Sequence, residues 1–208
     1  MKKNLLTKRI EDFALKKIKT EYSQDLIKDG LKIKDALISE FLIHPITVEL
    51  NNGPYSKVNT SGTLNYSGNL YSFIGFEKGY DPIRPILDIF LNIDVRLITI
   101  GNKLYVSVYG FPTPQKIWDA TPMPWQEGRS WAKGIEEGIS GLNYYLFSYS
   151  KNFPTSRSGS AVQSKKQILK NGRFERKKYI SSLLNKYKTL FKKIGTRSTT
   201  KIQFSTEE

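Results

Sequence analysis

The sequence predicts an α+β fold: a long N-terminal helix packed on a small antiparallel sheet, then a Pro/Trp-rich irregular segment and a basic amphipathic C-terminal helix. Three observations carry this reading. Apolar residues recur at helical spacing from about residue 4 to residue 42. A Gly-Asn pair separates two β-rich runs between residues 94 and 109. All three tryptophans, four of the nine prolines and four of the fifteen glycines fall between Phe111 and Phe147.

Residues 4–20 place Leu6, Ile10, Phe13 and Ile18 at three- to five-residue intervals, an amphipathic helix. A second helical run spans about 23–42, with Leu26, Gly30, Ile33, Leu37 and Phe41 in phase. Pro45 stops it, because proline disfavours the α region for the residue before it. Ile46–Leu50 alternates as a strand does, and Asn51-Asn52-Gly53-Pro54 ends it as a turn. Residues 55–80 are punctuated by Gly and Ser and repeat Ser-Gly-x-Leu at Ser61 and Ser67, which suggests one helical turn and a strand. Asp81 before Pro82 reads as the cap of a short helix over 82–91. Asp94–Ile100, Gly101-Asn102 and Lys103–Tyr109 form the clearest signal, a hairpin with a two-residue turn. Pro114–Ala120 reads as a short helix. Ser130 reads as the cap of another, without the acidic residue three positions on that would make the cap reciprocal. Asn143–Phe147 is aromatic and strand-like.

The charge is unevenly placed. Residues 151–208 hold 15 Lys/Arg and 3 Asp/Glu, a net of +12 out of +14 for the whole chain, so residues 1–150 carry only +2. With the Ser/Gly-rich stretch 148–163, this predicts a core domain over 1–150 and, over 151–208, a linker with a basic helical extension. From Tyr179 the apolar residues Ile180, Leu183, Leu184, Tyr187, Leu190, Phe191 and Ile194 make one continuous helical stripe. A stripe of this kind is expected to dock, and the expectation is docking on another subunit. Residues 195–208 carry no strong signal.

Composition excludes several chemistries. Without cysteine there are no disulfides or thiolate metal sites, and His44 is the single histidine. No cofactor or metal is expected. No apolar run approaches the roughly 20 residues of a membrane span. Lys8, Arg9, Glu11 and Asp12 interrupt any signal-peptide core after Met1-Lys2-Lys3, so a soluble, cytosolically made chain is expected. Phosphate-loop, dinucleotide, zinc-protease and serine-hydrolase motifs are all missing from the sequence. His44 reads as structural, at the junction before Pro45. Asp119, Glu127 and Glu136 flank the tryptophans, and paired carboxylates beside aromatics suit glycoside hydrolysis, but no spacing rule makes them specific. Tryptophan, tyrosine and arginine dominate interface hot spots. Trp118, Trp125, Arg129, Trp131, Tyr144 and Tyr145 are therefore candidate interface anchors, together with Ile180, Leu184, Tyr187 and Phe191 of the stripe. For the tryptophans and Arg129 the competing reading is packing within the chain's own fold. Lys165, Lys166, Arg173, Arg176, Lys177, Lys178, Lys192 and Lys193 are candidates for contact with DNA or an acidic partner.

Several motifs together resemble the neck proteins of tailed bacteriophages, the head–tail joining or tail-completion family. They are Gly68-Asn69-Leu70-Tyr71-Ser72-Phe73-Ile74-Gly75-Phe76 with Gly79 and Asp81-Pro82, and Pro112-Thr113-Pro114. Further on come Thr121-Pro122-Met123-Pro124-Trp125, Gly128-Arg129-Ser130-Trp131, Gly138-Ile139-Ser140-Gly141-Leu142 and Ser156-Arg157-Ser158-Gly159. Gly62, Leu64 and Ser67 are similar to an element that follows the first helix in that family. The resemblance covers about residues 20–195, most specifically 61–160. It implies a long helix against a small sheet, acting as one non-enzymatic subunit of a homo-oligomeric ring. Its implied partners are portal or adaptor proteins, tail-tube or sheath proteins and, nonspecifically, genomic DNA, with no membrane. The implied location is the virion, and the host cytoplasm during assembly. The Pro/Trp segment and the basic extension depart from shorter members. The alternatives are a nucleic-acid-binding virion protein using the basic tail, or a cell-wall-active virion enzyme.

Overall fold

The computed structural model describes residues 5–55, 59–64, 69–100, 103–124, 126–138, 147–148, 161–162, 174–196 and 201–205. The fold is α+β. Its helices are α1 (Leu5–Ile43), α2 (Pro45–Asn51), α3 (Leu70–Ile74), α4 (Arg84–Leu91), α5 (Pro114–Asp119), α6 (Trp131–Glu137) and α7 (Ile180–Thr196). Its strands are β1 (Asp94–Ile100), β2 (Lys103–Tyr109), β3 (Pro122–Met123), β4 (Gln126–Ser130), β5 (Phe147–Ser148), β6 (Ala161–Val162) and β7 (Lys201–Ser205). The chain packs as two units. One comprises Met1–Ala36, Ile93–Phe111 and Tyr187–Glu208, and the other Leu37–Asn92 and Pro112–Lys186.

In the first unit, β1 and β2 pair from Asp94 opposite Tyr109 to Ile100 opposite Lys103, the register a two-residue turn imposes. β7 joins β2 in parallel, which gives the order β1-β2-β7 and makes the sheet mixed. Val95, Val106 and Val108 are buried. α1 packs on the sheet at Gly30, where a Cβ would stand 2.6 Å from Val95 Cγ1. Tyr187 of α7 donates its hydroxyl to the Ala36 carbonyl at 2.9 Å, and Phe191 meets Phe111 edge to face at 5.7 Å.

In the second unit, Phe41 near the end of α1 sits edge-on to Phe90 of α4 at 5.1 Å and stacks with Tyr179 at 6.1 Å. Ile46, Leu50, Leu70, Ile74, Ile86, Ile117, Trp131, Ile135, Ile180, Leu183 and Leu184 complete its core.

Several expectations are corrected. The expected division at residue 150 is not where the chain divides, because β7 completes the first unit's sheet and α7 supplies buried residues to both units. The two N-terminal helices are one, since Thr20-Glu21-Tyr22-Ser23 contains neither Gly nor Pro to interrupt α1. Ile46–Leu50 is helical, not a strand. His44 is extended (φ −61°, ψ 134°) and its imidazole accepts the Ile46 N–H at 3.3 Å, with Pro45 in the first turn. Cap and N1 proline outweigh a five-residue alternation. The 55–80 stretch holds α3, and no strand is found among its described residues. Gly75 ends α3 in the left-handed conformation, φ 86°. Asp81 does cap, accepting from Ile83 and Arg84 N–H at 2.9 and 3.1 Å, but α4 begins at Arg84. Of the stretch 143–163, only β5 and β6 are described, and they pair with each other. The rest of the expected linker and strand lies outside the described residues.

The contact at Gly30 makes a prediction. On an exposed helix Gly→Ala would stabilise by about 1 kcal/mol. Here Val95 is buried and β-branched, so Gly30→Ala is expected to destabilise by about 1–3 kcal/mol through overpacking. Urea unfolding of Gly30→Ala, Val95→Ala and the double variant measures it. Additive losses, with no recovery in the double variant, would contradict the contact.

Candidate functional site

The second unit holds a buried carboxylate and, beside it, described residues of the motifs 69–76 and 121–131. α2 carries Glu49 fully inside, at 0% exposure. Its Oε1 accepts the Leu70 N–H at 2.8 Å, and its Oε2 accepts the Ser61 N–H at 2.9 Å. Asn59 Nδ2 lies within 3.0 Å of both oxygens. The same amide reaches Ser61 Oγ and Thr63 Oγ1, while Asn59 Oδ1 accepts the Leu64 N–H at 2.8 Å. Asn69 caps α3 by accepting from the Ser72 N–H, and donates to the Gly53 carbonyl at 3.0 Å. Thus α2, the loop 59–64 and the start of α3 are tied to one ionisable group. Burying a carboxylate without such donors would cost several kcal/mol.

Beside this hub lies an aromatic cluster. Phe76 contacts Tyr71 at 5.2 Å, stacks with Tyr80 at 5.3 Å and meets Trp131 edge to face at 5.8 Å. The Tyr71 hydroxyl shares its proton between the Glu77 and Tyr80 carbonyls, and burial pushes that phenol above its usual range. Ser130 caps α6 through the Lys133 N–H at 3.1 Å, and its hydroxyl lies 2.7 Å from that of Thr121. Thr121 in turn donates to the Ile117 carbonyl. Among the described residues, the buried Trp131 indole N–H has no hydrogen-bond acceptor.

Residues 174–179 run across both parts. Glu175 N–H donates to the Thr63 carbonyl at 2.8 Å, and Lys177 N–H to the Ile135 carbonyl at 3.1 Å. Phe174 stacks on Phe73 at 5.7 Å. Tyr179 is fully buried, with its hydroxyl 2.6 Å from Thr47 Oγ1, and burial drives its pKa up. Glu136 of α6 accepts both the backbone N–H and the hydroxyl of Ser181, so it caps α7 from a distant part of the chain.

The sequence-derived candidates separate under this geometry. Trp131 is core, fully buried in its own chain. Ile180, Leu184, Tyr187 and Phe191 are buried within the chain as well, which corrects the expectation that the stripe docks on another subunit. Trp118 is half-buried and Arg129 is exposed. Trp125, Tyr144, Tyr145, Lys165, Lys166 and Arg173 lie outside the described residues. Arg176, Lys178, Lys192 and Lys193 are exposed, and Lys177 pairs with Glu175 at 2.7 Å. The three carboxylates that flank the tryptophans have separate surroundings. Glu136 holds α7, Asp119 accepts from Gln115 at 2.7 Å on the surface, and Glu127 is exposed. Among the described residues, no cluster of three or more Asp, Glu or His could hold a metal, and no helix is long and apolar enough to cross a membrane. Glu49, Asn59 and Thr63 were missed, because the alternation at 46–50 concealed a helix. The His44-Pro45 pair was the signal that could have revealed it.

Comparisons with protein-family models, with curated proteins and with solved structures find no match.

Two predictions follow from these contacts. Glu49→Gln places an amide donor opposite other donors, and is expected to cost about 2–3 kcal/mol in chemical denaturation. A loss within 0.5 kcal/mol, a rough limit for neutral surface changes, would show that the hub does not organise the loop. His44 sits 4.8 Å from the Tyr179 ring, and burial holds its imidazole below the usual range despite the opposing pull of Glu40. The unfolded chain then binds the proton first, so stability is present above about pH 6.5 and declines as the pH falls below it. His44→Asn keeps a capping acceptor and should flatten the urea-midpoint change between pH 7.5 and 5.5. An unchanged slope would assign the effect elsewhere.

Proposed function

We propose that this chain is a non-enzymatic structural subunit of a tailed-phage virion, assembling as a ring in the neck, where the head connector meets the tail. One observation carries the reading. The described residues of the family-like motifs are used to fix a shape. Asn69 and Ser130 cap helices, Thr121 closes a turn, the Leu70 N–H binds Glu49, and Tyr71, Phe76 and Trp131 are buried in ring contacts linked through Phe76. A motif that specifies a shape suits a subunit recognised by its neighbours. Its partners are further copies of itself, portal or adaptor proteins, and tail-tube or sheath proteins.

A second reading is favoured by the outer face of α7. Lys188, Lys192 and Lys193 are exposed opposite its buried stripe, and Arg176 and Lys178 are exposed just before it. Such a face suits nonspecific contact with DNA phosphates.

Image reconstruction of whole particles, with the chain located by its density, tests the proposal. The expected result is a symmetric ring at the head–tail junction. With it, Trp118→Ala and Arg129→Ala chains should stay folded and enter particles more than about tenfold less well, as loss of a hot spot implies. Absence of the chain from purified particles, or its placement in the capsid lattice or fibres, would sink the proposal. Normal particles that lose DNA in a Lys188→Ala, Lys192→Ala variant would favour the second reading.

A further inference from the structure

The start of α7 is fastened to the second unit by a short strap, residues 174–179, and the fastening ends beside a group that titrates near neutrality. Glu175 and Lys177 donate their N–H groups to the Thr63 and Ile135 carbonyls, and Phe174 lies parallel to Phe73. Phe73, Phe174 and Lys177 are half-buried and Glu175 is exposed. The firm end of the strap is Tyr179, fully buried, with its ring stacked on Phe41 and its hydroxyl 2.6 Å from Thr47 Oγ1. A segment with accessible backbone hydrogen bonds and few buried apolar contacts opens locally at low free energy.

Thr47 is placed by the cap of α2. His44 Nδ1 accepts the Ile46 N–H at 3.3 Å, and Thr47 is the next residue. The imidazole ring lies 4.8 Å from the Tyr179 ring. A protonated imidazole carries hydrogens on both nitrogens and accepts nothing. It sets a donor against the Ile46 N–H and a positive charge at the positive end of α2. Other charged groups surround this pair. Glu40 stands one turn earlier on α1 and favours the imidazolium, but it is engaged by Lys186 of α7. Glu136 of α6 acts on Tyr179 and is held by the Ser181 N–H. On the strap, Lys178 is exposed and Lys177 pairs with Glu175. Burial outweighs Glu40, so the closed state holds His44 neutral below its usual range.

We propose that residues 174–179 form a pH-gated strap, which opens locally from the second unit when His44 takes up a proton. Protonation breaks the cap, the first turn of α2 loosens, and Thr47 no longer holds the Tyr179 hydroxyl. A buried phenol without a partner is costly, so Tyr179 leaves its site. The two backbone hydrogen bonds and the Phe174 stack then have no buried anchor and release with it. The opening stops within α7, where Leu183, Leu184 and Tyr187 stay buried. It bares the Thr63 and Ile135 carbonyls and one face of Phe73. The device is independent of the virion reading and of any assembly.

Amide hydrogen exchange on the full-length chain tests it, read residue by residue at pH 7.5 and 5.5 and corrected for the intrinsic rate. The open state takes up its proton near pH 6.5, so one proton lowers protection of the Glu175 and Lys177 amides by at most about tenfold over this range. A fall of about three- to tenfold is expected. Low urea should hardly alter it, because local opening exposes little surface. Val106 and Val108, buried in β2, are the reference, with greater protection and a steep urea dependence expected. His44→Asn keeps a capping acceptor that does not titrate, and should cut the pH effect on the strap amides to less than about twofold. Tyr179→Phe keeps the ring against His44 but loses the hydroxyl. It should raise strap exchange at both pH values by at least about threefold and retain the pH response. Strap amides that exchange only together with Val106 and Val108, with the same urea dependence, would overturn the proposal. So would an undiminished pH response in His44→Asn, or a Tyr179→Phe chain whose strap exchanges like wild type.

Discussion

A carboxylate removed from water has to be given donors, and the donors of Glu49 come from separate pieces of chain. The backbone N–H groups of Ser61 and Leu70 and the amide of Asn59 converge on its two oxygens. Each is brought there by a different local structure: a loop, the first turn of α3, and a side chain that also closes the loop through Leu64 and Thr63. Because these contacts include no cation, the hub depends on hydrogen-bond geometry rather than on charge pairing, and a buried network of this kind is costly when only partly satisfied. The aromatic cluster then has a fixed platform to pack on, and residues 174–179 can bind across it by backbone hydrogen bonds to Thr63 and Ile135.

The same constraint explains the fate of the C-terminal helix. A stripe from Ile180 to Ile194 would lose about 25 cal/mol for every Å² of apolar surface left in water. Tyr179 goes in with it, its hydroxyl satisfied by Thr47, and Glu136 satisfies the first donors of α7. Thr47 and Glu49 lie two residues apart on α2, so one short helix both organises the loop and receives the C-terminal segment. The basic residues of α7 are then left on its outward side, with Lys186 paired to Glu40.

Local signals in the sequence were reliable where the structure is local. The hairpin at 94–109 appeared with its register, α5 appeared as a short helix, α6 appeared with its cap, and the helical stripe from Ile180 appeared with its phase. Periodicity could say that the stripe must be covered, but not by which surface. β7 was invisible because five residues that pair in parallel with a strand almost a hundred positions earlier leave no short-range trace. α2 was misread because a five-residue alternation is weak against a cap and an N1 proline. Charge asymmetry suggested a tail, but charge describes the outward face of a segment and says nothing of what its other face packs on. The Glu49 hub was hidden for a related reason: Glu is among the residues least often fully buried, and only its distant donors make it a core residue.

What the interior leaves outside then decides what the molecule can join. Trp131 and the stripe are already in use, and the large apolar side chains left exposed among the described residues are Leu31, Leu42, Ile43, Val48, Tyr80 and Leu91. Under the ring reading, each added copy brings +14, and repulsion among the copies grows faster than the number of apolar contacts between adjacent ones. Such an assembly calls for counter-charge from outside itself. The exposed lysines of α7 are where that charge would act, and nucleic acid is the densest polyanion in a virion.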